Sequence, residues 1–125
     1  MNTHPNTTIL VVDDDEAIRD TLREIFLRDG FNTEIAENGY IATRIVREKW
    51  LDLVFLDFEL PGQNGIDVLK EIKQININLP VVMLTGYSGE EINTWAINAG
   101  AFELLRKPIQ LSQIRQTIHK ILLNM

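Results

Sequence analysis

Three aspartates, a threonine and a lysine follow apolar runs of this chain, each at the point where a run ends. Short apolar runs rich in β-branched residues are typical of buried parallel strands. Because open α/β sheets bind ligands outside the carboxyl ends of their strands, we expect these side chains to share one edge of a sheet. Residues 9–12 precede Asp13 and Asp14, residues 53–56 precede Asp57, residues 81–84 precede Thr85, and residues 102–106 precede Lys107.

These side chains suit phosphoryl transfer assisted by a divalent cation. Two unit charges 4 Å apart repel by about 4 kcal/mol at an effective dielectric of about 20, so clustered carboxylates need a counter-charge. Lys107 supplies one positive charge, and Mg²⁺, which prefers oxygen ligands, would supply the rest. Zinc is disfavoured because the chain has no cysteine and no histidine near these strand ends. Asp57 stands alone and is the candidate nucleophile, whereas the adjacent Asp13 and Asp14 suit a metal.

Helical periodicity between the apolar runs predicts five strands alternating with five helices. This pattern is typical of an α/β fold with a doubly wound parallel sheet. Asp15 can cap the start of the first helix, and Gly30 suits the position after its end. The predicted strands are residues 7–12, 31–36, 51–57, a run that begins at Pro80, and residues 102–105.

Length, charge and composition predict one soluble domain over residues 1–125, with a flexible N-terminus at residues 1–6. The chain has 45% hydrophobic residues, and its net charge of −6 argues against a nucleic-acid surface of its own. No apolar run approaches the roughly 20 residues that span a bilayer, and the polar start is unlike a signal peptide. We therefore expect a cytoplasmic protein without membrane or direct nucleic-acid contacts. The last predicted helix ends close to Met125, so no output domain is expected within these residues.

The five motifs, in this register and over nearly the whole chain, resemble the receiver domain of two-component response regulators. In that family an acidic pair follows the first strand, the phosphoacceptor aspartate ends the third, a Thr or Ser ends the fourth, and Lys-Pro follows the fifth. The resemblance implies a flavodoxin-like sheet of order 2-1-3-4-5. It also implies Mg²⁺ bound by Asp13, Asp14, Asp57 and the backbone carbonyl of Glu59, and it suggests a cis Lys107–Pro108 bond.

The implied function is Mg²⁺-dependent transfer of a phosphoryl group to Asp57 from a phosphohistidine of a sensor kinase or histidine phosphotransfer protein. Thr85 and Lys107 would assist, and the domain would catalyse its own phosphorylation and dephosphorylation without being a conventional turnover enzyme. Phosphorylation would switch the surface of the fourth helix, fifth strand and fifth helix toward an output domain or downstream protein, or be relayed onward. Glu59 and Tyr87, two residues beyond Asp57 and Thr85, would border the attacking water, and we predict that Tyr87 slows hydrolysis.

One position departs from the family pattern. Receivers usually have Tyr or Phe three residues before the lysine, where this chain has Leu104. Phe102 is a poor substitute, because it lies two residues earlier and therefore about 7 Å away along the strand. Ile97 beside Leu104, with Trp95 nearby, predicts an apolar patch that could meet a partner. A non-aromatic residue at this position and the absence of an output domain resemble single-domain receivers that relay phosphoryl groups between histidine proteins.

Two other functions stay open at this point. A haloacid-dehalogenase-like phosphatase would use Asp13 as nucleophile and Asp15 as acid and base, although Ala17 stands where that family has Thr or Val. A pseudo-receiver would act as an interaction module without taking phosphate. The basic residues of the first two helices, Arg19 among them, are expected to be solvated surface charges.

Overall fold

The structure of the chain is a computed structural model that describes residues 6–123. All but the last residue of the predicted flexible N-terminus lies outside the described residues. The strands are β1 (Thr8–Val12), β2 (Asn32–Ala36), β3 (Leu53–Asp57), β4 (Glu59–Leu60), β5 (Gln63–Asn64), β6 (Val81–Thr85) and β7 (Glu103–Arg106). The helices are α1 (Glu16–Arg28), α2 (Gly39–Glu48), α3 (Gly65–Ile75), α4 (Glu90–Asn98) and α5 (Leu111–Ile118), which continues into a π-helical turn, His119–Leu123.

Five parallel strands form the main sheet in the order β2-β1-β3-β6-β7. The predicted order 2-1-3-4-5 is confirmed, because β4 and β5 pair only with each other in a separate antiparallel hairpin. The hairpin arises because Pro61 and Gly62 turn the chain tightly enough for the two residues on either side to pair. Among the described residues, none of the helices is long and apolar enough to cross a membrane.

The three central strands β1, β3 and β6 are buried on both faces, as their continuous apolar runs predict. Successive side chains of a strand point to opposite faces, so each central strand contributes to two cores. One core packs Leu10, Val54 and Met83 against α2, α3 and α4. The other packs side chains such as Ile9 and Phe55 against α1 and α5, and the rings of Phe55 and Phe26 stack at 5.3 Å.

Register across the central strands brings the predicted site residues to one edge. Val12 is opposite Leu56, so the residues that follow them, Asp13 and Asp57, leave the sheet at the same level. On the other side of β3, Asp57 is opposite Leu84, and Thr85 is opposite Arg106 in β7. The sheet therefore carries the nucleophile candidate between the acidic pair and the Thr85–Lys107 pair.

Candidate functional site

A partly buried ammonium bridges the two buried aspartates of the site. Lys107 Nζ lies 3.1 Å from Asp13 Oδ2 and 3.3 Å from Asp57 Oδ2. Asp13 is fully buried after β1, and Asp57 is 3% exposed at the end of β3. Because a buried charge without a partner is strongly disfavoured, the ammonium offsets the cost of burying these two side chains. The arrangement joins three strand ends into a single charged pocket.

The Asp13 side chain is fixed by its neighbours on α1 and β2. Its backbone N–H donates to the carbonyl of Ala36 over 3.1 Å, and its Oδ1 accepts from the backbone N–H of Asp15 at 2.9 Å. Asp15 also caps α1 by accepting from the N–H of Ala17 at 2.9 Å, which confirms the predicted cap.

Arg19 is not simply a solvated charge. Its guanidinium donates to the backbone carbonyl of Asp13 over 2.9 Å. The expectation of a surface charge was wrong because Arg19 lies in the first turn of α1, from which a long side chain reaches back to the strand end. No spacing rule in the sequence marks this contact.

The Asp57 carboxyl is hard to ionise. Burial raises its pKa from 3.8 to about 6. The backbone N–H of Glu59, which donates to Oδ1 over 3.1 Å, lowers the pKa. The charge of Asp13 raises the pKa further, and the Lys107 ammonium lowers it. For Lys107, burial alone lowers the pKa, but the charges of Asp57 and Asp13 together outweigh burial and raise it. The pocket thus holds an ammonium firmly charged and a carboxyl whose charge is incompletely balanced.

The three aspartates also form a candidate metal site. Asp13, Asp14 and Asp57 each offer a carboxylate oxygen, and these oxygens lie within 4.8 Å of one another. Asp14 is exposed, so the site is open to solvent on one side. An all-oxygen donor set with an open side fits Mg²⁺, which retains several of its waters. The predicted role of the Glu59 backbone carbonyl in holding this ion stays a prediction.

Thr85 lies at the same edge, with its hydroxyl already engaged. The side chain is 1% exposed, and Oγ1 accepts from the backbone N–H of Tyr87 at 3.0 Å. Its backbone carbonyl accepts from the N–H of Lys107 at 2.7 Å, which ties the two strand ends together. The Lys107–Pro108 bond is cis, as the family resemblance suggested.

The predicted switch surface is only partly exposed. Trp95 and Ile97 on α4 are 44% and 42% exposed, whereas Leu104 is partly buried and packs against the core shared with α2, α3 and α4. Contact of these residues with a partner stays a prediction.

Sequence reasoning missed Phe58, the residue after the candidate nucleophile. Its side chain is 8% exposed, and its ring lies 6.2 Å from the ring of Tyr87 and 5.7 Å from that of Trp95, both edge-on. The only signal in the sequence was an aromatic residue next to Asp57. No periodicity links it to residues 87 and 95, because they lie on a loop and a helix that meet β3 only in the folded chain.

Comparison with known proteins bears directly on this pocket. The family model of the response regulator receiver domain matches residues 9–119. Sporulation initiation phosphotransferase F of Bacillus subtilis (strain 168) is 38% identical over 117 residues, which are 94% of each chain. The transcriptional regulatory protein ZraR of Escherichia coli O157:H7 is also 38% identical, over 120 residues that are 96% of this chain but 27% of that protein. The chain thus spans about a quarter of the length of ZraR.

Solved structures agree with the sequence relatives. A response regulator receiver domain protein from Clostridium thermocellum superposes with a TM-score of 0.87 and 31% identity, covering 94% of this chain and 95% of that one. A two-component response regulator from Clostridium difficile superposes with a TM-score of 0.91 and 26% identity, covering 96% and 98%. Four strand ends deliver the five predicted side chains to one edge, and the relatives agree, so the chain belongs to the response regulator receiver domain family of two-component systems.

Proposed function

We propose that this chain accepts a phosphoryl group on Asp57 from the phosphohistidine of a sensor kinase or histidine phosphotransfer protein. The observation that carries the proposal is the Lys107 ammonium between the carboxylates of Asp13 and Asp57, at 3.1 and 3.3 Å. Asp14 is close enough to share a cation with Asp13 and Asp57, and the buried Thr85 ends strand β6. We place the reaction in the cytoplasm, in keeping with the sequence-based expectation.

The chemistry follows from the positions of these groups. An oxygen of the Asp57 carboxylate attacks phosphorus, an O–P bond forms, and the N–P bond to the donor imidazole breaks. The imidazole leaves with the electron pair of that bond and takes up a proton. Lys107 offsets charge on the transferring oxygens, and the Thr85 hydroxyl can donate to one of them. Mg²⁺, held by Asp13, Asp14, Asp57 and the Glu59 carbonyl, supplies further positive charge there when it is bound.

A groove beside the pocket supports a protein donor. It encloses about 340 Å³ between α1 and the segment that follows β7, and its lining is mainly apolar. Because Lys107 both lines the groove and contacts Asp57, a donor seated in the groove would bring its phosphohistidine close to the phosphoacceptor site. The lining side chains are those of Ala17, Ile18, Thr21, Leu22, Ile25, Lys107, Pro108, Ile109, Leu111 and Ile114.

The first test is intact mass after incubation with Mg²⁺ and acetyl phosphate. We expect one phosphoryl addition in the wild type and in Asp67→Asn, which changes an exposed aspartate of α3, but none in Asp57→Asn or with a chelator. A folded protein that gains no mass would contradict the proposal and would favour the pseudo-receiver, which signals by binding alone. Addition that persists in Asp57→Asn would place the acceptor elsewhere.

We further propose that the phosphoryl group is relayed onward rather than only switching a surface. The non-aromatic Leu104 and the likeness to a protein named as a phosphotransferase support this. The test mixes the phosphorylated chain with a purified histidine phosphotransfer protein and follows the mass of both. Gain of a phosphoryl group by the partner is the expected result, whereas hydrolysis without transfer, accompanied only by altered binding or self-association, would count against a relay.

A further inference from the structure

Helix α4 is the least firmly packed of the described helices. Ala96 is the one buried residue among its nine, whereas each of the other helices buries at least two. Its N-cap is Gly89, which has a φ of 130° and provides no side-chain cap. Weakly packed elements can shift or open at a small free-energy cost. Helix α4 can therefore shift with less loss of buried contact than the other helices, because Ala96 is its one fully buried side chain.

Phe58 connects this helix to the phosphoacceptor. Its backbone is fixed directly after Asp57, because its N–H donates to the Leu84 carbonyl at 2.7 Å and its carbonyl accepts from the Gly65 N–H at 2.9 Å. Its ring meets Trp95 of α4 edge-on at 5.7 Å and 73°, and Tyr87 of the preceding loop at 6.2 Å and 82°. Aromatic pairs in this geometry are each favourable by about 0.5–1.5 kcal/mol beyond their buried area.

Tyr87 is hydrogen-bonded to the side chain of Thr85. The backbone N–H of Tyr87 donates to Thr85 Oγ1 at 3.0 Å, so the position of the loop depends on where that hydroxyl points. The Tyr87 hydroxyl interacts with the Glu59 carboxylate, which raises the pKa of Tyr87. The residue is therefore held from three sides, by Thr85, Glu59 and the ring of Phe58. A turn of the Thr85 side chain toward a phosphoryl oxygen changes the first of these contacts.

We propose that Phe58 couples the phosphoacceptor site to α4, with Tyr87 and Trp95 as the rings on either side. Movement of Thr85 toward a phosphoryl group on Asp57 shifts Tyr87, and the change reaches Trp95 through Phe58. The coupling rests on the proposed function, because Thr85 has a new partner only when Asp57 is phosphorylated. It needs no aromatic side chain at Leu104, which packs against the core instead.

The test uses Trp95 itself as the reporter. The chain has two tryptophans, and Trp50 is 85% exposed, so Trp50→Phe leaves Trp95 as the sole emitter with little expected effect on packing. Emission and intact mass are recorded on the same samples with Mg²⁺ and acetyl phosphate. We expect the emission maximum to shift in proportion to the phosphorylated fraction. The shift should be lost in Phe58→Leu at an equal phosphorylated fraction, and kept in Leu104→Met, a volume-conserving change.

Each outcome separates the coupling from the function on which it rests. Mass gain without a shift overturns the coupling and leaves the phosphoacceptor role intact, whereas no mass gain overturns both. A shift that persists in Phe58→Leu, or that disappears in Leu104→Met, also overturns the coupling. If Phe58→Leu does not fold, Tyr87→Leu takes its place, because Tyr87 is 52% exposed on a loop. Loss of the shift in that variant supports the coupling, and retention overturns it.

Discussion

The ionised form of Asp57 costs free energy in the protein without a bound cation. Burial raises its pKa from 3.8 to about 6, although Lys107 and the Glu59 N–H favour the charged form. The folded chain therefore binds a proton at Asp57 more tightly than the unfolded chain does. Protonation of Asp57 therefore favours the folded chain, and this contribution is complete below pH 4 and is lost as the pH rises through about 6. A bound divalent cation would offset this cost.

Removing the charge should stabilise the protein near neutral pH. A shift of about two pKa units corresponds to at most roughly 3 kcal/mol, so we expect Asp57→Asn to raise the free energy of unfolding by about 1–3 kcal/mol at pH 7, relative to its effect at pH 4. Urea unfolding in a chelating buffer at several pH values measures this. Asp67→Asn, an exposed change, should show no such trend. A stability difference between wild type and Asp57→Asn that is constant from pH 4 to pH 7 would contradict the account.

At the scale of elements, the loop between β6 and α4 governs access to the pocket. The ring of Tyr87 packs edge-on against Phe58, and its hydroxyl interacts with Glu59, so the side chain spans the two loops that follow Asp57 and Thr85. We expect a water that attacks an aspartyl phosphate to approach between these loops, and we therefore predict that Tyr87 partly covers the site.

Truncating this cover should shorten the life of the phosphorylated form. We expect Tyr87→Ala to lose its phosphoryl group on the order of threefold to tenfold faster than wild type, up to about 1.4 kcal/mol of barrier. Decay of intact mass after removal of the phosphodonor gives the rate. Tyr87→Phe, which keeps the ring, separates the contribution of the hydroxyl from that of bulk. Slower decay in Tyr87→Ala than in wild type would rule out a protective role.

The start of α3 sets the backbone that carries Asp57. A Cβ at Gly65 would lie 2.5 Å from the Phe58 carbonyl oxygen and 2.7 Å from that of Asp57, so the backbone would have to move. We expect Gly65→Ala to cost about 1–3 kcal/mol of stability and to slow phosphorylation. The matched control is Gly86→Ala, whose Cβ would meet only Glu59 Oε1 at an ordinary 3.7 Å. Urea unfolding and phosphorylation rates that are equal in the two variants would refute this explanation.

The central strands β1, β3 and β6 were predictable from sequence because their apolar runs are continuous and end in polar residues. For the same reason the five pocket residues could be named, since the carboxyl ends of adjacent parallel strands meet. The β4–β5 hairpin could not be predicted from the sequence, because two-residue strands have no periodicity. Arg19 and Phe58 were missed because their contacts depend on where α1, α4 and the loop before α4 pack. Spacing along the chain carries no record of such contacts.

At the scale of the whole molecule, the chain carries a net charge of −6 and concentrates three carboxylates against one ammonium at a single edge. A divalent cation that binds only the folded protein should therefore stabilise it. Linkage gives about 2.7 kcal/mol at a free concentration one hundred times the dissociation constant.

The matching prediction concerns thermal unfolding. We expect Mg²⁺ to raise the melting temperature of the wild type above its value in a chelator, and to have little effect on Asp13→Asn, which removes a buried carboxylate of the site. NaCl at the same ionic strength is the control for screening. An equal rise in Asp13→Asn, or an equal rise with NaCl, would show that Mg²⁺ does not act through this pocket.

The measurement that best tests whether Asp57 accepts the phosphoryl group is one that locates the phosphorylated residue. Borohydride reduces an aspartyl phosphate to homoserine, so reduction of the Mg²⁺- and acetyl phosphate-treated chain, followed by peptide mass mapping, shows which aspartate carried the phosphoryl group. If Asp57 is the phosphoacceptor, we expect homoserine at position 57 and at neither position 13 nor position 14. Homoserine at position 13, or at any aspartate outside the pocket, would contradict it.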